Sequence, residues 1–242
     1  MGLRSIVVML IASLALLAIL SLFPRFQIFL PGLIEGAWMT LRIAVLGSVF
    51  AALCGVIAAL VRLYGPLPLR WLARIYIEIF RGTSALVQLF WLFFVLPDFG
   101  ISLEPFTVAV LTLALNVGAY GAEVVRQAIQ SVPRGQWEAS TALNMTQSQM
   151  LRRVILPQAV VAMIPPWGNL FIELLKATAL VSLITITDLS FKAQEMNQTT
   201  LKTVDIFSLV LLIYLALSLA VTIGMRLIEA GASRGLARGR MH

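Results

Sequence analysis

The sequence predicts an all-α integral membrane protein of about six transmembrane helices with a folded element on its cytoplasmic side. Three observations carry that expectation. The chain of 242 residues is 60% hydrophobic and only 12% charged, whereas a soluble domain averages about 25% charged residues. Apolar runs long enough to cross a bilayer, roughly 20 residues or about 30 Å of helix, recur along it. The Lys and Arg residues are distributed unevenly about those runs.

The runs fall near 5–23, 38–61, 84–97, 105–125, 157–187 and 206–225. The first follows Arg4, is longer than the about 7–15 residues of a signal-peptide core, and leads into PRFQ instead of a small-residue cleavage site; it reads as a retained span. The second carries Gly47, Ala51, Gly55 and Ala59 at four-residue spacing, a face on which a neighbouring backbone can lie close, within the chain or at a subunit interface. Arg42, in the same run, either snorkels outward or meets a partner. The third run is short, and the apolar residues of RWLARIYIEIFRGT before it allow the helix to extend backwards.

The fourth run carries Thr112, Asn116, Tyr120 and Glu123 as one polar stripe, and the fifth carries Asn169, Glu173 and Lys176 as another. Polar and ionisable groups are costly in a membrane and are functional candidates there. The two stripes offer amide, hydroxyl and both charges to a small zwitterion in transit. The competing reading is that Glu173 pairs with Lys176 and Glu123 with Arg126, each three residues apart on its helix. Pro165, Pro166 and Gly168 interrupt the fifth run, either bending it for packing or bordering a cavity. The sixth repeats the small-residue pattern at Ala216, Ala220 and Gly224.

With the amino terminus in the cytoplasm, Arg4, Arg62, Arg70, Arg74, Arg81, Arg126, Arg134, Arg152, Arg153, Arg226, Arg234, Arg238 and Arg240 fall inside. Only Arg25, Lys192 and Lys202 fall outside. This is the positive-inside bias, and it puts both termini in the cytoplasm. The net charge of +7 is therefore a topology signal and not a nucleic-acid footprint. A single cysteine, Cys54, excludes a disulfide framework, and the only histidine is the terminal His242. No catalytic group, metal site or cofactor site is expected.

The largest inside segment, 126–156, is polar but patterned. Pro133 and Gly135 end the fourth span. A short helix is expected from about Gln136, with Glu138 in its first turn where the helix dipole favours a carboxylate. Asn144 follows Leu143 and tolerates the left-handed conformation that closes a helix. Thr146-Gln147-Ser148-Gln149 then has the form of a capping box opening a second helix, which runs through Met150, Leu151 and Val154 to Pro157. The result is an elbow at Asn144, with Trp137 placed to anchor it and Ala139, Ala142 and Leu143 forming a shallow apolar face. By chemistry alone the elbow is either a docking element or a solvated connector.

This segment resembles the EAA loop of permease subunits in bacterial binding-protein-dependent ABC importers. The matching residues are Glu138, Ala139 and Ser140, then Asn144 where the family has glycine, then Leu156 and Pro157. Further segments resemble the polar amino-acid uptake branch: YIEIFRGTSALVQLFWLFFVLP, with Ser84 where that branch has proline, LNVGAYGAEVVRQAI, GQWEAS, LPQAVVAMIPPWGNLFIELLK and KATALVSLITITDL. LNMT and KATALVSLIT resemble the ectoine and hydroxyectoine permeases.

The resemblance implies a five-helix type I importer permease core over 33–230, an additional helix and outside loop over 1–32, and a basic cytoplasmic tail over 231–242. It implies residence in the bacterial inner membrane and cargo such as a polar amino acid or a zwitterionic compatible solute. It further implies two ATP-binding subunits, a second permease chain and an extracytoplasmic substrate-binding protein as partners. Glu138, Ala139, Ser140, Ala142, Leu143, Asn144 and Thr146 would form the coupling contact with the ATPase. Asn116, Tyr120, Asn169, Glu173 and Lys176 are the candidates for the translocation path. The chain contains no G-x-x-x-x-G-K-[ST] P-loop, so ATP would be hydrolysed on a separate subunit. A self-contained secondary transporter or channel is the alternative, but no internal repeat supports it. A membrane enzyme lacks any constellation to work with.

Overall fold

The structure is a computed structural model describing residues 3–239, and among them it contains helices and no strand. Helix α1 (Leu3–Ser21) leads through a short outside turn, α2 (Pro24–Gln27), into the long α3 (Leu30–Tyr64). Next come α4 (Leu67–Gly82) and α5 (Ala85–Phe90), the latter prolonged by a π turn at Trp91–Val95 and a 3-10 turn at Leu96–Phe99. Helix α6 (Pro105–Gln130) is followed by α7 (Arg134–Ala142) and α8 (Gln147–Met150), which form the elbow. A π turn at Leu151–Ile155 joins α8 to α9 (Leu156–Ala177), which ends in a 3-10 turn at Thr178–Ile184. Helix α10 (Leu189–Thr200) lies at the outer end, and α11 (Thr203–Gly239) closes the fold. Five of these stretches are long and apolar enough to span a membrane, and the bent pair α4–α5 makes a sixth when counted as one.

In lipid the chain gains nothing by hiding apolar side chains from a solvent as apolar as they are, so helices associate through close packing and polar contacts. The centre of the fold is the parallel pair α3 and α6, with α9 beside it. A Cβ on Gly55 would lie 2.9 Å from the Gly118 carbonyl oxygen and 3.0 Å from the Trp167 ring, and one on Gly121 would lie 2.2 Å from that ring. The face of Gly47, Ala51, Gly55 and Ala59 thus serves packing within the chain. The face of Ala220 and Gly224 does not: Ala220 is exposed and a Cβ on Gly224 would meet nothing within 4 Å. A second apolar cluster, with Phe29, Leu33, Leu189, Ala193, Ile206 and Leu209 at its heart, sits at the outer end. There Arg25 holds Asp205 through two contacts of 2.6 Å, pinning the turn after α1 to the start of α11.

Several expectations need correction. The third span is not prolonged backwards as one helix: the chain turns by 108° between α4 and α5, because Thr83 and Ser84 are both extended. The Arg81 guanidinium lies over the Tyr120 ring of α6. Helix α7 begins at Arg134, with Pro133 as its N-cap, so Glu138 falls beyond the first turn. Pro157 does not stop a helix; the π turn before it absorbs the missing N–H, and Gln147–Ile184 runs on as one helical rod of 38 residues. The stretch between the fifth and sixth apolar runs is not plain connection but contains α10. The expected tail at 231–242 continues α11 as far as Gly239, and Arg240 and His242 lie outside the described residues. Arg42 meets a partner within the chain, its guanidinium 5.6 Å from the centre of the Phe106 ring.

Substituting Gly55→Ala should destabilise the purified protein by about 1–3 kcal/mol through overpacking against rigid backbone. Gly224→Ala should leave the thermal midpoint in detergent unchanged. Equal effects of the two would remove the close-packing role assigned to the α3–α6 contact.

Candidate functional site

The polar groups of the membrane region fall into three assemblies, and the first surrounds the break between α4 and α5. A helix end leaves carbonyls without partners, and lipid offers no donor to satisfy them. Here side chains supply the donors. Thr83 donates back to the Ile79 carbonyl at 2.7 Å. The Phe80 carbonyl accepts from Gln88 and from Asn116, each at 3.0 Å. The Arg81 carbonyl accepts from the Tyr120 hydroxyl at 3.3 Å. Gln88 also donates to the Thr83 hydroxyl at 2.7 Å, and its own oxygen accepts from Asn116 at 3.1 Å. Tyr76 donates to the Leu115 carbonyl at 2.8 Å and ties the middle of α4 to α6. Beside the break lies a hollow of about 460 Å³ lined by Ile79, Phe80, Thr83, Val87, Gln88 and Trp91.

The second assembly is centred on Glu123, which is buried. Arg62 of α3 donates to one carboxylate oxygen, with Arg81 of α4 at 3.7 Å from the same atom, and Arg126 donates to the other at 2.7 Å. The Arg81 guanidinium also covers the Tyr120 ring at 5.5 Å. One acidic side chain thus binds three helices together and carries a local surplus of positive charge. Pairing of Glu123 with Arg126 is present, as one reading of the sequence anticipated, but Arg62 and Arg81 join it.

The third assembly is open. Asn169, Glu173 and Lys176 all lie on the exposed face of α9, together with Pro165 and Pro166. Glu173 and Lys176 do not pair with each other: the ion pairs among the described residues fall elsewhere. Asn169 also borders a polar groove of about 350 Å³ between α9 and α11, with Thr222, Arg226 and Glu229 on its other wall. The two polar stripes therefore differ in kind. That of α6 is turned inward and occupied with holding the broken helix, apart from the half-open ring of Tyr120. That of α9 faces out of the chain.

The elbow itself has the expected local geometry. Asn144 adopts φ +54°, in the left-handed region. The amides of Leu143, Asn144 and Met145 bond back to the carbonyls of Ala139, Thr141 and Ser140, closing α7. Thr146 and Gln149 exchange both bonds of the capping box, at 3.0 and 3.3 Å. Ser140 is buried and donates to the Gln136 carbonyl at 2.7 Å, while Trp137 packs on the main core. Glu138, Ala139, Ala142 and Leu143 point away from the molecule, Leu143 with 75% of its surface exposed.

Sequence reasoning missed Gln88, although a lone glutamine in SALVQLFWLFF carried the signal that polar groups in an apolar run always carry. It also missed the convergence of Arg62 and Arg81 on Glu123, for which no local pattern exists.

Comparison with known proteins agrees with this arrangement. Residues 51–234 match the family described as the binding-protein-dependent transport system inner membrane component. The chain is 45% identical over 206 residues to a probable amino-acid ABC transporter permease protein, y4tF, of Sinorhizobium fredii, covering 83% of this chain and 87% of that one. It is 37% identical over 202 residues to the glutamine transport system permease protein GlnP of Escherichia coli, covering 83% and 92%. A crystal structure of an amino acid ABC transporter with histidines superposes with a TM-score of 0.79 at 36% identity, over 84% of this chain and 94% of that one. An inward-facing structure of the MetNI methionine ABC transporter shares the fold at a TM-score of 0.71 and 20% identity, over 83% and 96%. The chain belongs to the family of inner membrane components of binding-protein-dependent transport systems, the permease subunits of ABC importers.

Proposed function

We propose that this permease carries a polar amino acid or a similar small zwitterion, ectoine-like solutes included, across the inner membrane, driven through the elbow at α7–α8 by a separate ATPase. The chain is a transport subunit and not an enzyme; ATP hydrolysis belongs to its ATP-binding partner. The observation that carries the coupling reading is mechanical. The elbow presents Glu138, Ala139, Ala142 and Leu143 to the cytoplasm, and directly after it one helical rod, Gln147–Ile184, crosses the whole membrane. That rod bears Asn169, Glu173 and Lys176. Trp137 packs α7 on the core, so a push on its exposed face is transmitted and not dissipated.

The exposed stripe on α9 supports a second permease chain, identical or homologous. An amide, a carboxylate and an ammonium cannot face lipid without a large desolvation cost, so a partner or a water-filled passage must cover them. In this reading two permease chains enclose the path, two ATPases grip the two elbows, and a binding protein delivers cargo at the outer face where α10 lies. Both termini are cytoplasmic, and α1 is an addition that stands outside the path. Amino-acid cargo is supported by the relatives, which include amino-acid and glutamine permeases.

Replacing Glu138→Arg should abolish uptake while insertion into the membrane and the fold stay intact; normal transport by that variant would sink the docking role. At the elbow, Asn144→Gly should retain uptake, because glycine reaches positive φ freely. Asn144→Val should lose it, since a β-branched residue there is strained by about 1–3 kcal/mol. The two polar stripes should also separate experimentally. Asn116→Leu should lower thermal stability, by about 1–3 kcal/mol for the acceptors left unpaired. Glu173→Gln should leave the melting midpoint in place and reduce uptake; the reverse pattern would exchange their roles.

A further inference from the structure

At the outer face four elements meet in one buried polar junction. Gly36 of α3 lets the chain at 188–189 lie directly on that helix; a Cβ there would come within 2.8 Å of the Asp188 carbonyl oxygen. Thr40, one turn further, accepts the Leu189 N–H at 3.1 Å. The Tyr214 hydroxyl of α11 lies 3.2 Å from that of Ser190 and also interacts with Thr40 and Thr178. Asp188 is fully buried, at 0% exposure. Its Oδ1 accepts the Phe191 N–H at 2.9 Å and caps α10. Its Oδ2 is a buried side-chain oxygen with no hydrogen-bond partner, alone in this among the described residues.

Among the described residues no cation pairs with this carboxyl. Lys192 of α10 is engaged by Glu35 of α3 at 4.0 Å and by Glu195 at 3.5 Å. On α11, Asp205 is tied to Arg25 and Tyr214 offers only its hydroxyl. From the rod, the 3-10 turn brings Thr178, while Lys176 lies on the exposed face. A charged carboxylate oxygen buried with neither a donor nor a cation within reach is costly, and protonation removes that charge. Because Oδ1 is already committed to the cap, the proton belongs on Oδ2.

We propose that Asp188 is a proton-binding site: protonated on Oδ2 it holds α10 closed on α3 and α11, and deprotonated it releases α10 so that water can reach the charge. Burial pushes the Asp188 carboxyl up to about 6, outweighing the amides of Phe191, Ser190 and Asp188 itself, which favour the charged form. The sign follows from linkage. A carboxyl raised in the closed state binds its proton more tightly there, so closure is favoured at acid pH. The advantage is lost as pH rises from the ordinary aspartate range through about 6.

The test is hydrogen exchange of the amides at the start of α10, 189–193, in the full chain in lipid nanodiscs, corrected for the intrinsic effect of pH. Opening should be about tenfold more frequent at pH 8 than at pH 5, and Asp188→Asn should remain protected at both. A native chain with equal opening at the two pH values would overturn the proposal, as would a variant that keeps the pH dependence. Protection restored at pH 8 by sodium ions alone would make the junction a cation site and also overturn it. Should the variant fail to fold, the native chain still decides: its infrared spectrum must show a carboxylic-acid C=O band that titrates near neutral pH and is absent at pH 8.

Discussion

Everything in this fold answers to one constraint: within lipid, each backbone carbonyl freed from a helix must find its donor inside the protein. The chain breaks a membrane helix at Thr83 and Ser84, and four donors, from Thr83, Gln88, Asn116 and Tyr120, meet the consecutive carbonyls of Ile79, Phe80 and Arg81. That requirement places α6 against α4, and with α6 comes α3, whose small residues let the two backbones touch. The broken helix is thus the reason for the tight centre, and the small-residue faces are the means.

Glu123 extends the same logic from hydrogen bonds to charge. A buried carboxylate is tolerable only with partners, and three arginines from three helices supply them. Such a cluster contributes little net stability relative to an apolar packing of equal volume, yet removing its centre would leave three like charges side by side without a counter-charge. Its value is therefore in defining one arrangement of α3, α4 and α6, a property suited to a helix bundle that has to move as a unit.

Polar groups that are not consumed by this frame stand out by contrast. Those of α9 are open, those of the elbow are exposed, and one helical stretch, Gln147–Ile184, connects the two regions. The outer junction at Asp188 has neither the cations of Glu123 nor the exposure of Glu173, and it is the place where the fold is least well compensated. A membrane protein that alternates between two states needs contacts that are easily undone at one end and rigid ones elsewhere, and this distribution of compensated and uncompensated groups supplies both.

The number of spans and the local form of the elbow were legible in the sequence, because each depends on local physics. Apolar run length sets a span, and the order Asn144, Thr146, Gln149 fixes a left-handed turn followed by a capping box whatever surrounds it. The 108° turn, the three-arginine clasp and the outer junction were not legible. Each is made by residues far apart in the chain, such as Arg62 with Glu123 and Thr40 with Leu189, and no periodicity records which helix will lie beside which. The pattern of the polar stripes shows the same limit. Spacing alone put Asn116 and Asn169 on equal terms, and only the packing of α4 against α6 decided that the first is enclosed while the second remains exposed, since burial is a property of neighbours and not of the helix that bears the residue.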